Sequence, residues 1–72
     1  MANVDVIISI ERDYHDRLDE VAQRLRAKGM EVGNELSMLH AITGSVDERQ
    51  LPAVKQVMGV REVSLARRLH AI

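Results

Sequence analysis

The chain contains no cysteine, no tryptophan and no phenylalanine. Without thiols there is neither a disulfide framework nor a thiolate metal site, so packing alone must hold the fold. The single aromatic residue is Tyr14, which makes the core aliphatic and removes the stacking platform that single-strand nucleic-acid binders use. An excess of one charge is also missing. Ten Lys and Arg against eleven Asp and Glu leave a formal net charge of −1, far from the positive field of a nucleic-acid binder. No apolar run approaches the roughly 20 residues that cross a bilayer. The opening MANVDVIISIERD has no basic leader followed by an apolar segment and a small-residue cleavage site, so it does not read as a signal peptide. These absences predict a cytoplasmic protein whose partners include neither nucleic acid nor a membrane.

What is present is enough apolar mass to fold. Hydrophobic residues make up 46% of the 72 positions against 29% charged, well outside the composition of disordered chains. This length supports one domain, 1–72, of modest stability. Residues 66–72 read as a tail beyond its last strand.

NVDVIISIE alternates, with Val4, Val6, Ile8 and Ile10 on one side and Asp5, Ile7 and Ser9 on the other, the period of a strand. Leu18, Val21, Ala22 and Leu25 then fall at helical spacing. Asp13 is a candidate N-cap and Gly29 a candidate stop, predicting a helix over about 13–28. MEVGNELSMLHAITGSV returns to short apolar alternation and reads as two strands, about 30–36 and 38–46, turning near 35–37. Asp47 with Gln50 resembles a capping box, and Leu51, Val54, Val57 and Met58 form a second apolar stripe, predicting a helix over about 48–58. Pro52 sits awkwardly in that span and favours a start nearer 51. Val60, Val63 and Leu65 supply a fourth strand.

The resulting order is strand, helix, strand, strand, helix, strand. It predicts an α+β, ferredoxin-like βαββαβ sandwich: a four-stranded antiparallel sheet with two helices on one face. The other face is left uncovered. With Met38, Ile42, Gly44 and Val46 pointing inward, Ile7, Leu39, Ala41 and Thr43 are expected on the open side, as a modest apolar patch suited to docking.

Signs of catalysis are sparse, and no enzyme is expected. His15 and Asp19 are a helical turn apart, but Asp16, Arg17 and Glu20 surround them, so they read as a solvated face stabilised by i,i+4 pairs rather than a metal site. His40 alternates with apolar residues in the third strand and reads as packed or hydrogen-bonded. The glycines form neither a dinucleotide fingerprint nor a phosphate loop, and the serines lack an elbow motif. No metal and no cofactor are expected. Arg67 and Arg68 read either as solubilising residues or as contacts to an acidic surface.

In the second half, Gly44-Ser45-Val46, the spaced Leu51 and Val54, and Gly59-Val60-Arg61-Glu62-Val63 stand in an order that resembles the propeptide and inhibitor family of subtilisin-like serine proteases. The resemblance covers nearly the whole chain in element order, and the second half in residues. It implies a non-covalent inhibitor, or a folding helper acting in trans, that lays its open sheet face on two surface helices of the protease. Its tail would run through the substrate cleft as a product-like strand. On that resemblance Leu69, His70, Ala71 and Ile72 are the cleft-binding residues, with Ile72 next to the scissile position and Leu69 in the pocket three residues upstream. Ile7, Leu39, Ala41 and Thr43 would support docking. Two features depart from the family pattern. Where relatives carry acidic residues that meet the N-termini of protease helices, this chain has Ser64, Leu65, Ala66, Arg67 and Arg68; and Ile72 is β-branched.

The same topology also suits an ACT-like regulatory module. Such a module would bind a small effector near Glu11-Arg12-Asp13 and Asn34 and form a homodimer through the open sheet face or its edges. Topology alone does not choose between the two.

Overall fold

The computed structural model describes residues 3–66. Strand β1 (Asn3–Ile10) is followed by helix α1 (Leu18–Ala27), strands β2 (Glu31–Leu36) and β3 (Ala41–Asp47), helix α2 (Leu51–Lys55) and strand β4 (Val60–Leu65). Short 3-10 turns occupy Arg12–Tyr14, Ser37–Leu39 and Glu48–Gln50. The sheet order is β2-β3-β1-β4, and every neighbouring pair is antiparallel. This is the ferredoxin-like α+β plan expected from the sequence.

The alternation of β1 sorts its side chains as the sequence predicts. Val6, Ile8 and Ile10 are buried, and they meet Leu18, Val21, Ala22 and Leu25 of α1, Val54 of α2, and Val57 just beyond it. Ile42 and Val46 of β3 complete the same layer. Each fully buried aliphatic side chain of this kind contributes on the order of 1.5–3 kcal/mol relative to exposure, offsetting the entropy of ordering the chain.

Two β-bulges reconcile the sequence pattern with that single buried face. In β4, Val60 pairs with Ile10 and Glu62 with Ser9, leaving Arg61 as the extra residue. The insertion lets Val60 and Val63, three positions apart, both pack against the core. In β2, Val32 pairs with Gly44 and Asn34 with Thr43, so Gly33 is the extra residue there. Gly44 lies between Val6 and Val32 on the buried side. A Cβ at this position would overlap the carbonyl oxygen of Glu31 and stand 2.8 Å from Met30 Cε, so only glycine lets β2 approach.

Three boundaries differ from the sequence expectation. Helix α1 begins at Leu18 rather than near 13, and Asp13 belongs to a 3-10 turn instead of serving as its N-cap. Local contacts hold this segment out of the helix. His15 Nε2 meets the carbonyl of Ile10 at 3.0 Å, and the Arg17 guanidinium covers the Tyr14 ring at 4.5 Å.

The β2–β3 turn falls at 37–40, later than 35–37. His40 adopts the left-handed conformation, φ 53° and ψ 49°, and its carbonyl accepts the Ile10 N–H at 3.0 Å. His40 is therefore a turn residue and not a strand residue. Met38, expected inside, is 91% exposed.

Helix α2 is shorter than 48–58. Asp47 accepts the Arg49 N–H at 2.9 Å and caps the preceding 3-10 turn, while Pro52 falls in the first turn of a helix that starts at Leu51, where its missing donor costs nothing. No described helix is long and apolar enough to cross a membrane.

Candidate functional site

The register arranges the face opposite the helices into three rows. Antiparallel partners point to the same side, so each row reads across the four strands. Asn34, Thr43, Ile7 and Ser64 form the central row, and Leu36, Ala41, Ser9 and Glu62 form the row towards the C-terminal end of β1. Glu31, Ser45 and Asp5 form the third row, which ends at Ala66, whose N–H donates to the Asp5 carbonyl at 2.8 Å.

Among the described residues no helix covers this face. Ile7 stands at its centre, 38% exposed and paired with half-buried Thr43, while Ala41, in the next row, is buried. Five of the eleven surrounding positions are small: Ser9, Ser45, Ser64, Ala41 and Ala66. The surface is consequently flat, apart from a shallow depression of about 520 Å³ over Gly33, Thr43 and Ser45, bounded by Glu31 on one side and Asp5 and Ala66 on the other. A flat floor of small side chains lets another backbone or helix approach closely.

Among the described residues, the charged side chains at its paired positions have one sign. Asp5, Glu31 and Glu62 occupy paired positions on this face, and none of those positions holds a Lys or Arg. Asp47, at the corner, is turned towards Arg49. The Arg49 N–H, and after it the guanidinium, holds the Asp47 carboxyl below the usual carboxylate range.

Of the expected docking residues, the register puts Ile7, Ala41 and Thr43 on this side of the sheet, but Ala41 is buried and offers little surface. Leu39 does not join them. It lies in the Ser37–Leu39 turn, 71% exposed, beyond the end of β3, because the left-handed His40 reverses the chain before the strand begins. Leu69, His70, Ala71 and Ile72 lie outside the described residues, as do Arg67 and Arg68. Ala66, the last described residue, lies beside Asp5.

The acidic residues of the face escaped the sequence reading. Asp5 was legible from the parity of β1. Glu31 and Glu62 were not, since the bulges at Gly33 and Arg61 decide which side of the sheet they take.

The histidines have other surroundings. His15 precedes α1 instead of standing one turn from Asp19 within it, and its ring stacks on that of His40 with centroids 3.6 Å apart and planes within 4°. The pair ties the segment before α1 to the β2–β3 turn at the C-terminal end of β1. Among the described residues no group of three His, Asp or Glu could hold a metal ion. Glu11, Arg12 and Asp13, named for an effector, surround this same end, whereas Asn34 sits on the central row of the open face.

Comparison with protein-family models, with curated proteins and with solved structures found no match to this chain.

Proposed function

We propose that the chain is a non-covalent inhibitor, or a trans-acting folding helper, of a subtilisin-like serine protease. It docks by the open sheet face and places residues 69–72 in the substrate cleft. The observation that carries this reading is the open face itself, with Ile7 and Thr43 paired at its centre and Ala66, the last described residue, at its edge beside Asp5. One surface then offers a flat, partly apolar platform and, beside it, the start of a segment with apolar residues at Leu69 and Ile72.

The acidic residues add a second support. Relatives of the resembled family present carboxylates to the N-termini of protease helices, where backbone N–H groups and the helix dipole favour negative charge. This chain lacks them after β4 but carries Asp5, Glu31 and Glu62 on the docking face. Those same charges oppose the regulatory-module reading in its face-to-face form, because two copies would bring like charges together.

Titration of subtilisin activity with the intact chain, and with one lacking residues 69–72, tests the proposal. Stoichiometric inhibition by the first that is lost or weak in the second supports it. Equal inhibition by both removes the tail from the mechanism, and absence of inhibition by both removes subtilisin as the target.

A further inference from the structure

Strand β4 is an edge of the sheet, and its register fixes which main-chain groups it shows. The Ala66 N–H donates to the Asp5 carbonyl, and hydrogen-bonded and non-hydrogen-bonded pairs alternate along an antiparallel ladder. Glu62 and Ser64 therefore face β1, across from Ser9 and Ile7, while the N–H and C=O groups of Val63 and Leu65 point away from the sheet. Natural edges are blunted by bulges, charges and proline. The start of β4 has the bulge at Arg61 and the charges of Arg61 and Glu62, but Val63-Ser64-Leu65 carries none of these devices. The opposite edge, β2, is broken by its bulge at Gly33 and has Glu31 and Glu35 along it.

The side chains along this edge say what fits it. Leu65 is paired with Val6 and lies on the helix side of the sheet, yet it is 61% exposed where Val6 is 1%. Val63 lies two positions back on the same side, and with Val60, Lys55, Arg61 and Glu62 it lines a depression of about 280 Å³. Lys55 and Arg61 are exposed, and neither enters an ion pair among the described residues. Glu62 is the one anion of the lining, against two cations. We propose that the β4 edge receives an extended acidic peptide segment, added to the sheet as a fifth strand through the main chain of Val63 and Leu65. An apolar side chain of that segment packs on Leu65, and a carboxylate meets Lys55 and Arg61. Main-chain bonds supply affinity in such strand addition, and alternate side chains supply selectivity. The two cations favour negative charge and repel a basic segment. This edge uses neither the Ile7–Thr43 centre of the open face nor residues 69–72, so the inference stands apart from the protease reading.

The probe is a capped hexapeptide in which threonine alternates with valine, glutamate and valine, and its control has lysine in place of the glutamate. Titrated into the isotope-labelled full chain, the glutamate peptide should shift the amide signals of Arg61, Val63 and Leu65 in a saturable way and leave those of Ile7 and Thr43 in place. The lysine peptide should bind about ten-fold more weakly. A Lys55→Glu/Arg61→Glu chain, altered only at exposed positions, should reverse that preference. Leu65→Pro removes an outward donor without taking a bond from β1; it should abolish binding of both peptides while the unfolding midpoint stays near that of the parent. Absence of a saturable shift at those amides overturns the proposal, as do equal affinity for the two peptides and a response centred on Ile7 and Thr43. Movement of the Val63 and Leu65 signals on dilution of the chain alone also overturns it, because a second copy is then the occupant.

Discussion

Ile7 and Thr43 stand directly opposite one another on β1 and β3, at the centre of the sheet face that no described helix covers. On the reverse side of the same two strands, Ile8 pairs with Ile42, and both are fully buried. One residue of offset thus separates a position that holds the fold from one available to a partner. The two should respond to substitution in opposite ways.

Ile8→Ala is expected to cost about 2–5 kcal/mol, the range for deleting a buried aliphatic side chain. In a domain of this size that is a large share of the total stability. Urea unfolding should show a strongly lowered midpoint or no transition; a change below about 1 kcal/mol would contradict the assignment of Ile8 to the core.

Gly44→Ala places a methyl group against the Glu31 carbonyl and Met30. Because backbone rather than a flexible side chain opposes it, the substitution should destabilise by about 1–3 kcal/mol and shift the amide signals of 30–33. Thermal unfolding of the variant checks the first expectation and an amide spectrum the second.

His40 occupies the left-handed region, which Asn tolerates and a β-branched residue does not. His40→Val should be less stable than His40→Asn by about 1–2 kcal/mol. Both variants lose the stack on His15, so their difference isolates the backbone. Equal stability would mean that the turn conformation is not demanding.

Asp47 gives a pH dependence of definite sign. Its carboxyl is lowered by the Arg49 N–H and then by the Arg49 guanidinium, so the folded state favours the ionised form. The stabilisation is present above the unfolded value, about 3.9, and is lost as pH falls through the lower folded value. The stability difference between the parent chain and Asp47→Asn should therefore be full near neutral pH and shrink as acidification carries the carboxyl through and below its ordinary range. A difference that does not change with pH would contradict this origin.

Much of the architecture was legible because its signals are periodic. The period-two run from Val4 to Ile10 and the helical spacing from Leu18 to Leu25 each name a face without knowledge of the rest. The missed features are those that break a period. The 3-10 turn at Arg12–Tyr14, held by the Tyr14 and His15 contacts, displaced the start of α1. A left-handed His40 moved the β2–β3 turn and carried Leu39 off the open face. The bulges at Gly33 and Arg61 placed Glu31 and Glu62 on it. The bulges and the His40 turn depend on contacts between segments distant in sequence, and the Arg12–Tyr14 turn on local side-chain contacts, so neither propensity nor alternation announces them.

Affinity of the full chain for subtilisin, compared with that of Ile7→Lys, tests the central claim most directly. The lysine stem can lie along the sheet with its amine in water, so the fold should survive, and a circular dichroism spectrum verifies this. Docking through the open face predicts one-to-one binding by the parent and weakening of roughly 30-fold or more in the variant, since truncating or charging a central contact costs about 2 kcal/mol or more. Binding of both chains with equal affinity, or of neither, would contradict it.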